Sequence, residues 1–412
     1  MTVYSVLSPY IPPAISGSFW RLYFGLTPYL GVPISICRMT GPARPNGRTA
    51  RILVAGRPGW FFRTISNLVF LSPPTVEAIG SAPIWKLRPR LRELRNTADV
   101  TLVLADAHNA TWLFSGEYLT VPAWVGMHRP APPAGSLGLD LVSRNLRRDL
   151  QRIRSHAYQP LHTRVPSEVA WFYRDYYLPT SYRRHGEDAF VRDERSLRRS
   201  HARGGILWIK KGEERVAGAL YEQDNGVLQL LAFGLRGGDA ALRKRGALVA
   251  AYLNLCLQAR ALGCHSIDFR ACRPFLRDGV LCHKKKWGGT LYDRTSLACE
   301  EMGIDWPRWN PAVADLLGEL SVIFRHRGHL SALSTIDTGQ PSSSEEASKL
   351  HHQLWLPGLY RLYLVSHRGW QPGAQPPPDC ALLDPEQVAT AATFLSRCDT
   401  GPNRADGAFL PG

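Results

Sequence analysis

The chain has 412 residues, 44% of them apolar, and a formal net charge of +16 at neutral pH. This is ample for two packed domains and a tail, and it sets aside a chain too polar to fold. The charge points to an anionic partner (a nucleotide, coenzyme A, tRNA or an acidic lipid surface) without choosing among them. No run approaches the roughly 20 apolar residues that span a bilayer. The N-terminus lacks a charged start followed by an apolar block, so no secretory signal is evident.

Residues 1–50 are rich in Pro and Gly, with Trp20, Tyr23 and Phe24, and read as an irregular lead-in holding one ordered piece. Arg51 to Ala55 and Val100 to Ala105 read as short strands, and Ile84 to Leu94 as a helix. They predict a small α/β domain over 51–130. Residues 131–142 are a linker by composition. Ser143 is placed to cap a helix whose stripe is Leu146, Leu150 and Ile153. Arg147, Arg148, Arg152 and Arg154 cover its other faces, as a solvated surface or a polyanion-binding one. Val169, Phe172, Tyr173 and Tyr176 are spaced for a second helix. Tyr182-Arg183-Arg184-His185-Gly186 reads as a loop that orders an acceptor or simply turns the chain.

The most informative stretch is 205–297. Ile206 to Lys211 and Val216 to Tyr221 are short apolar strands joined at Gly212-Glu213. Asp224-Asn225-Gly226 is a tight-turn signal. Leu228 to Leu235 is a continuous apolar run, suited to a strand buried on both faces. Asp239 caps a predicted helix carrying Leu242, Leu248, Val249, Tyr252, Leu255, Cys256 and Ala259, which Gly263 stops. Ser266 to Phe269 is the next strand, and a crossover of this length favours a parallel pair. Pro274 opens a further short helix ending near Gly288, and Leu291 to Leu297 is a last strand.

Further on, Asn310-Pro311 is a helix start, with Val313, Leu316, Leu317 and Leu320 on its buried face. Strand-like runs at Ser321 to Arg325 and Leu359 to Val365 flank a helix near Glu345 to Leu354, making 301–370 a folded α/β extension. Residues 371–412 read as a Pro/Gly-rich tail, partly disordered. The eight cysteines form no Cys-x-x-Cys pair. Cys264-His265, Cys272 and Cys282-His283 fit no zinc spacing, so no metal is expected. Reduced, mostly buried thiols suit a cytoplasmic protein.

The order strand, strand, strand, loop, helix, strand, helix, strand resembles the core of the GNAT acyltransferase superfamily. Arg273-Pro274-Phe275-Leu276, Asp278-Gly279-Val280-Leu281, Lys284 and Lys286-Trp287-Gly288 are similar to the bacterial FemAB-like branch. So are the basic segment Asn145 to Arg154 and the aromatic segments Trp171-Phe172-Tyr173 and Tyr176 to Pro179. The resemblance covers roughly 140–300, with the acyltransferase domain at 143–300. It implies a mixed-sheet α/β fold with tandem GNAT-like domains, the one over 51–130 degenerate. It also implies transfer from acetyl-CoA, another acyl-CoA or an aminoacyl-tRNA to an amine. Lys284 is the position matching the family's functional lysine. Two departures stand out. Leu248 ends Arg243-Lys244-Arg245-Gly246-Ala247-Leu248 where the family's phosphate loop has a small residue, and His283 replaces an aromatic residue before the lysines.

Physical chemistry marks the same region. A helix start offers unpaired N–H groups and a positive dipole end to phosphate. Gly237 and Gly238 allow close backbone approach. Arg243, Lys244 and Arg245 add charge next to Gly246, unless they are only a solvated face. N–H groups near Phe233-Gly234 suit polarisation of a carbonyl. Lys284 and Lys286 suit a phosphate or a developing oxyanion. Candidates for the base are Asp268, His283, Tyr221 and Glu222. Asp268 reads more readily as a carboxylate paired with nearby Arg270 or Arg273 than as the base. Neighbouring cations would keep His283 neutral. Two other classes stay open: a basic nucleic-acid-binding module, and a catalytically dead scaffold that organises partners or contacts an anionic membrane face. The acceptor and the oligomeric state cannot be read from these residues.

Overall fold

The computed structural model describes residues 33–56, 60–132, 144–186, 189, 191–294 and 300–400. The lead-in before Pro33 with its three aromatics, most of the linker, Ser143, the end of the expected last strand, Cys299 and the final residues lie outside them, as do the side chains of Leu146 and His185.

The strands are β1 (Pro33–Pro42), β2 (Thr49–Ala55), β3 (Thr75–Pro83), β4 (Val100–Asp106), β5 (Leu119–Pro122), β6 (Val125–Pro130), β7 (Gln159–Thr163), β8 (Gly204–Lys211), β9 (Glu214–Asp224), β10 (Val227–Leu235), β11 (Ser266–Cys272), β12 (Thr290–Asp293), β13 (Glu300–Asp305), β14 (Val322–His326), β15 (His329–Ile336), β16 (Leu362–Ser366) and β17 (Cys380–Leu383). The α-helices are α1 (Trp60–Val69), α2 (Ile84–Leu94), α3 (Ala107–Leu113), α4 (Arg144–Ser155), α5 (Glu168–Phe172), α6 (Leu178–His185), α7 (Glu194–His201), α8 (Ala240–Lys244), α9 (Ala247–Ala261), α10 (Gly279–Lys286), α11 (Pro311–Leu320), α12 (Ser344–Leu354) and α13 (Ala391–Thr400). The expected mixed α/β fold is borne out.

Two compact units form. The first joins the described residues up to Val125 with Arg273–Asp278 and the described residues from Asp293 onward. Its ten-stranded sheet runs β17-β16-β15-β14-β5-β13-β4-β2-β1-β3. β15, β16 and β17 are parallel neighbours. The Asn310 side chain accepts the Val313 N–H at 2.9 Å, so the expected cap of α11 is made. Residues after Gln371 are more ordered than their composition suggests. β17 extends the sheet, and Phe394 of α13 packs between Trp306, Phe324 and Tyr363.

The second unit comprises Gly126–Cys272 and Gly279–Tyr292. Its seven-stranded sheet runs β12-β6-β11-β10-β9-β8-β7. The turn before β10 has Asn225 at φ 46° and Gly226 at φ 72°, the left-handed pair that a two-residue hairpin turn needs. β8, β9 and β10 are antiparallel, and β10 and β11 are parallel. Two local expectations are corrected. The helix expected at Pro274 begins at Gly279, because 273–278 belongs to the first unit, where the Leu276 N–H reaches the Ser321 carbonyl at 2.9 Å. Tyr182 to His185 are helical, and Gly186 (φ 57°) ends the helix. β6 lies between β11 and β12, a pairing over so long a sequence separation that no local pattern signals it.

One face of this sheet carries a core of Val169, Phe172, Tyr176, Leu197, Ile206, Trp208, Leu220 and Ala232. The aromatic segment supplies it through α5, a π-helical turn at Tyr173–Tyr177, and α6. Trp208 is fully buried and donates its indole N–H to Glu168 at 2.8 Å. Glu168 also accepts from Arg215 at 2.8 Å, and that guanidinium lies 5.0 Å from the Trp171 ring and 5.1 Å from the Trp208 ring. Each large apolar side chain buried here contributes about 1.5–3 kcal/mol. The core therefore fixes β10 firmly beneath the candidate site.

Candidate active site

The helix expected after Asp239 is two helices. Leu242 and Val249, seven residues apart, keep helical phase, so the periodicity conceals the break at Gly246, which takes φ 88° and precedes the first residue of α9. Asp239 caps only the short α8, accepting the Ala241 N–H at 2.7 Å. Its negative charge therefore belongs to the first piece. The longer α9 starts after Arg243, Lys244 and Arg245, all three exposed. Gly246 has no side chain to offer, so the N-cap position gives the first N–H groups of α9 no side-chain partner. The result is a helix start with its dipole end uncapped and three cations beside it.

Gly237 and Gly238 do not form an open cradle. Both have positive φ, 56° and 66°. A Cβ on Gly238 would meet the Pro179 carbonyl oxygen at 2.6 Å, so this turn packs directly on α6. A Cβ on Gly237 would meet nothing within 4 Å. Gly238 is thus needed for close approach to protein backbone, and Gly237 is the one that faces open space.

β10 and β11 are hydrogen-bonded only at Val227, Leu228 and Gln229, against Ser266, Ile267 and Asp268. Beyond that point the two strands part. Strand alternation puts the N–H groups of Phe233 and Leu235 on the same edge, toward the opening. That of Leu235 is taken by the Thr180 hydroxyl at 2.7 Å.

An aromatic wall lies on the α9 side. The Phe233 ring stacks on Tyr252 at 4.2 Å, Tyr252 meets His283 edge-on at 4.6 Å, and Trp287 stacks on Tyr252 at 5.8 Å. The structure thus brings Phe233 and His283 together through Tyr252. The Trp287 indole donates to His283 Nε2 at 3.2 Å. Burial first, then Arg184 and Lys284, lower the His283 pKa to about 4. The ring is therefore neutral, as expected, but its Nε2 lone pair is engaged.

The lysines differ from one another. Lys284 is 4% exposed, and its ammonium donates to the Arg270 and Ala271 carbonyls at 3.1 and 2.8 Å, where β11 ends. Lys286 pairs with Asp149 of α4. Asp149 also accepts from Arg152 at 3.0 Å, and a Cβ on Gly246 would lie 3.5 Å from the Cβ of Arg152. A chain of contacts, Gly246 to Arg152 to Asp149 to Lys286, thus links the start of α9 to α10. Asp149 was missed in the sequence. It is the single acid in Arg144–Ser155 and stands four residues before the buried Ile153, a spacing that puts both on one helix face.

Asp268 is not brought to this wall. Phe269 lies 6.1 Å from Tyr252, so its neighbours on β11 point to the opposite face. There Asp268 accepts the Arg270 N–H at 2.7 Å and the Tyr292 hydroxyl at 3.2 Å, with the Arg270 guanidinium 3.6 Å away. Arg270 holds φ 65°. Glu222 pairs with Arg203 at 2.5 Å, and burial raises the pKa of the Tyr221 phenol.

No family model and no curated protein matches the chain. Solved structures do. FemX is 11% identical, with 68% of this chain and 90% of that one covered and a TM-score of 0.34. L-PGS from Bacillus licheniformis is 11% identical, with 68% and 88% covered and a TM-score of 0.31. A GCN5-related N-acetyltransferase from Sphaerobacter thermophilus is 12% identical, with 62% and 72% covered and a TM-score of 0.30. The chain is similar to these three structures to the extent of those scores.

Proposed function

We propose that the protein is an N-acyltransferase of the GNAT/FemAB-like kind, moving an acyl group from an acyl-CoA to an amine. The observation that carries this reading is the parting of β10 from β11 beside the uncapped start of α9. A donor's phosphates would rest on the N–H groups after Gly246, with Arg243, Lys244 and Arg245 as counter-ions. Its carbonyl would meet the Phe233 N–H in the opening. Phe233, Tyr252 and Trp287 would form the apolar wall against which the acyl arm lies.

In this reading Lys284 and His283 are positioning residues. Lys284 fixes the end of β11 through two carbonyls, and His283 holds Trp287 in the wall. Neither has its reactive atom free. Lys286 holds Asp149, which orients Arg152 next to Gly246. Asp268, on the opposite face of β11, is the remaining acid for a proton taken through water from an amine arriving on that side.

The same helix start and its cations also suit an aminoacyl-tRNA. Melting temperature in the presence of coenzyme A, set against binding of an aminoacyl-tRNA, separates the two donors. A shift with coenzyme A that Arg243→Ala and Arg245→Ala together reduce supports the acyl-CoA reading. Retention of aminoacyl-tRNA with no coenzyme A shift moves the assignment to aminoacyl transfer. The absence of both leaves a non-catalytic scaffold. Among the described residues no helix is long and apolar enough to cross a membrane.

A further inference from the structure

We propose that Asp315, Asp337 and His367, all in the first unit, bind a divalent transition-metal cation. Asp315 lies on α11, Asp337 directly follows β15 and His367 directly follows β16. β15 and β16 are parallel, so their ends emerge together, the place in such sheets where functional groups gather. One oxygen of each carboxylate and one imidazole nitrogen all lie within 4.8 Å of one another.

The donors are prepared for a cation. The side chains of Asp315 and His367 are only 2% and 8% exposed, while that of Asp337 is 31% exposed and provides an approach. The Arg48 guanidinium stands 3.2 Å from Asp315 and is itself 43% exposed. The Asn46 amide donates to the other Asp315 oxygen at 3.1 Å. The Ala314 backbone, whose carbonyl takes the Thr335 hydroxyl at 2.7 Å, hydrogen-bonds the His367 imidazole. That is the outer contact that orients metal-binding histidines.

His367 Nδ1 and Asp337 Oδ2 are 3.3 Å apart. Two ligands on one ion with bonds near 2.1 Å stand roughly 3.0–3.4 Å apart, so this pair already has the required spacing. Binding needs Arg48 to swing toward solvent and Asp315 to close in. A nitrogen donor with two carboxylates favours Zn²⁺ or Mn²⁺ over Ca²⁺ or Mg²⁺.

The test is calorimetric titration of chelator-treated full-length protein with ZnCl₂ and with MnCl₂, paired with melting curves. One equivalent of one of these ions should bind and raise the melting temperature. His367→Gln and Asp337→Asn should each weaken binding at least tenfold. Arg48→Gln, a change on a half-exposed side chain, should tighten it, because the guanidinium competes with the cation. Three results overturn the proposal: no binding of either ion, binding unchanged in the Asp337→Asn/His367→Gln double variant, or affinity in Arg48→Gln that is equal or weaker.

Discussion

The Trp287 indole N–H donates to His283 Nε2 across 3.2 Å, one helical turn apart, and the imidazole stays neutral inside the aromatic wall. Its native pKa, about 4, lies below the ordinary value of 6.5. Between these values the unfolded chain binds the proton and the folded chain does not. The group therefore favours the native state above about pH 6.5 and loses that contribution as pH falls toward 4, by up to about 1.4 kcal/mol per pH unit. His283→Gln should flatten this part of the stability profile measured by urea unfolding. A variant profile as steep as that of the wild type would mean the ring is not held neutral.

Lys284 is the larger structural commitment. Lys284→Met removes a buried donor and leaves the Arg270 and Ala271 carbonyls without it. A loss of about 2–3 kcal/mol is expected. Lys286→Met removes one of two cations from Asp149, which keeps Arg152, so about 1 kcal/mol is expected there. Denaturant unfolding of the two variants checks the order. Equal losses, or a larger loss at Lys286, would contradict the assignment.

Gly237 and Gly238 separate backbone strain from packing. Both have positive φ, so alanine at either costs about 1 kcal/mol. Gly238→Ala also drives a methyl into the Pro179 carbonyl and should lose markedly more stability. Thermal melts of the two single variants read the difference. Similar melting temperatures would show that the turn does not rest on α6.

Much of the fold was legible because it is written locally. The strands at 51–55 and 100–105, the helix at 84–94 and the Asn310 cap all follow from short-range pattern and appear where expected. The break at Gly246 was hidden because Leu242 and Val249 stay in helical phase across it. The insertion of β6 between β11 and β12, and the departure of 273–278 to the first unit, depend on partners distant in sequence. In the candidate site, the cations before Gly246 could be named in advance. Which lysine is buried could not, since Lys284, Lys285 and Lys286 differ only in helix angle. Asp315, Asp337 and His367 come from three elements and have no spacing to recognise.

The central claim, that the start of α9 receives a phosphate-bearing donor, is tested most directly by amide hydrogen exchange with coenzyme A and, separately, with an aminoacyl-tRNA. The account predicts that one of them slows exchange in the peptide spanning Gly246 to Val249. Binding of either donor with exchange there unchanged, and protection confined to other segments, would contradict it.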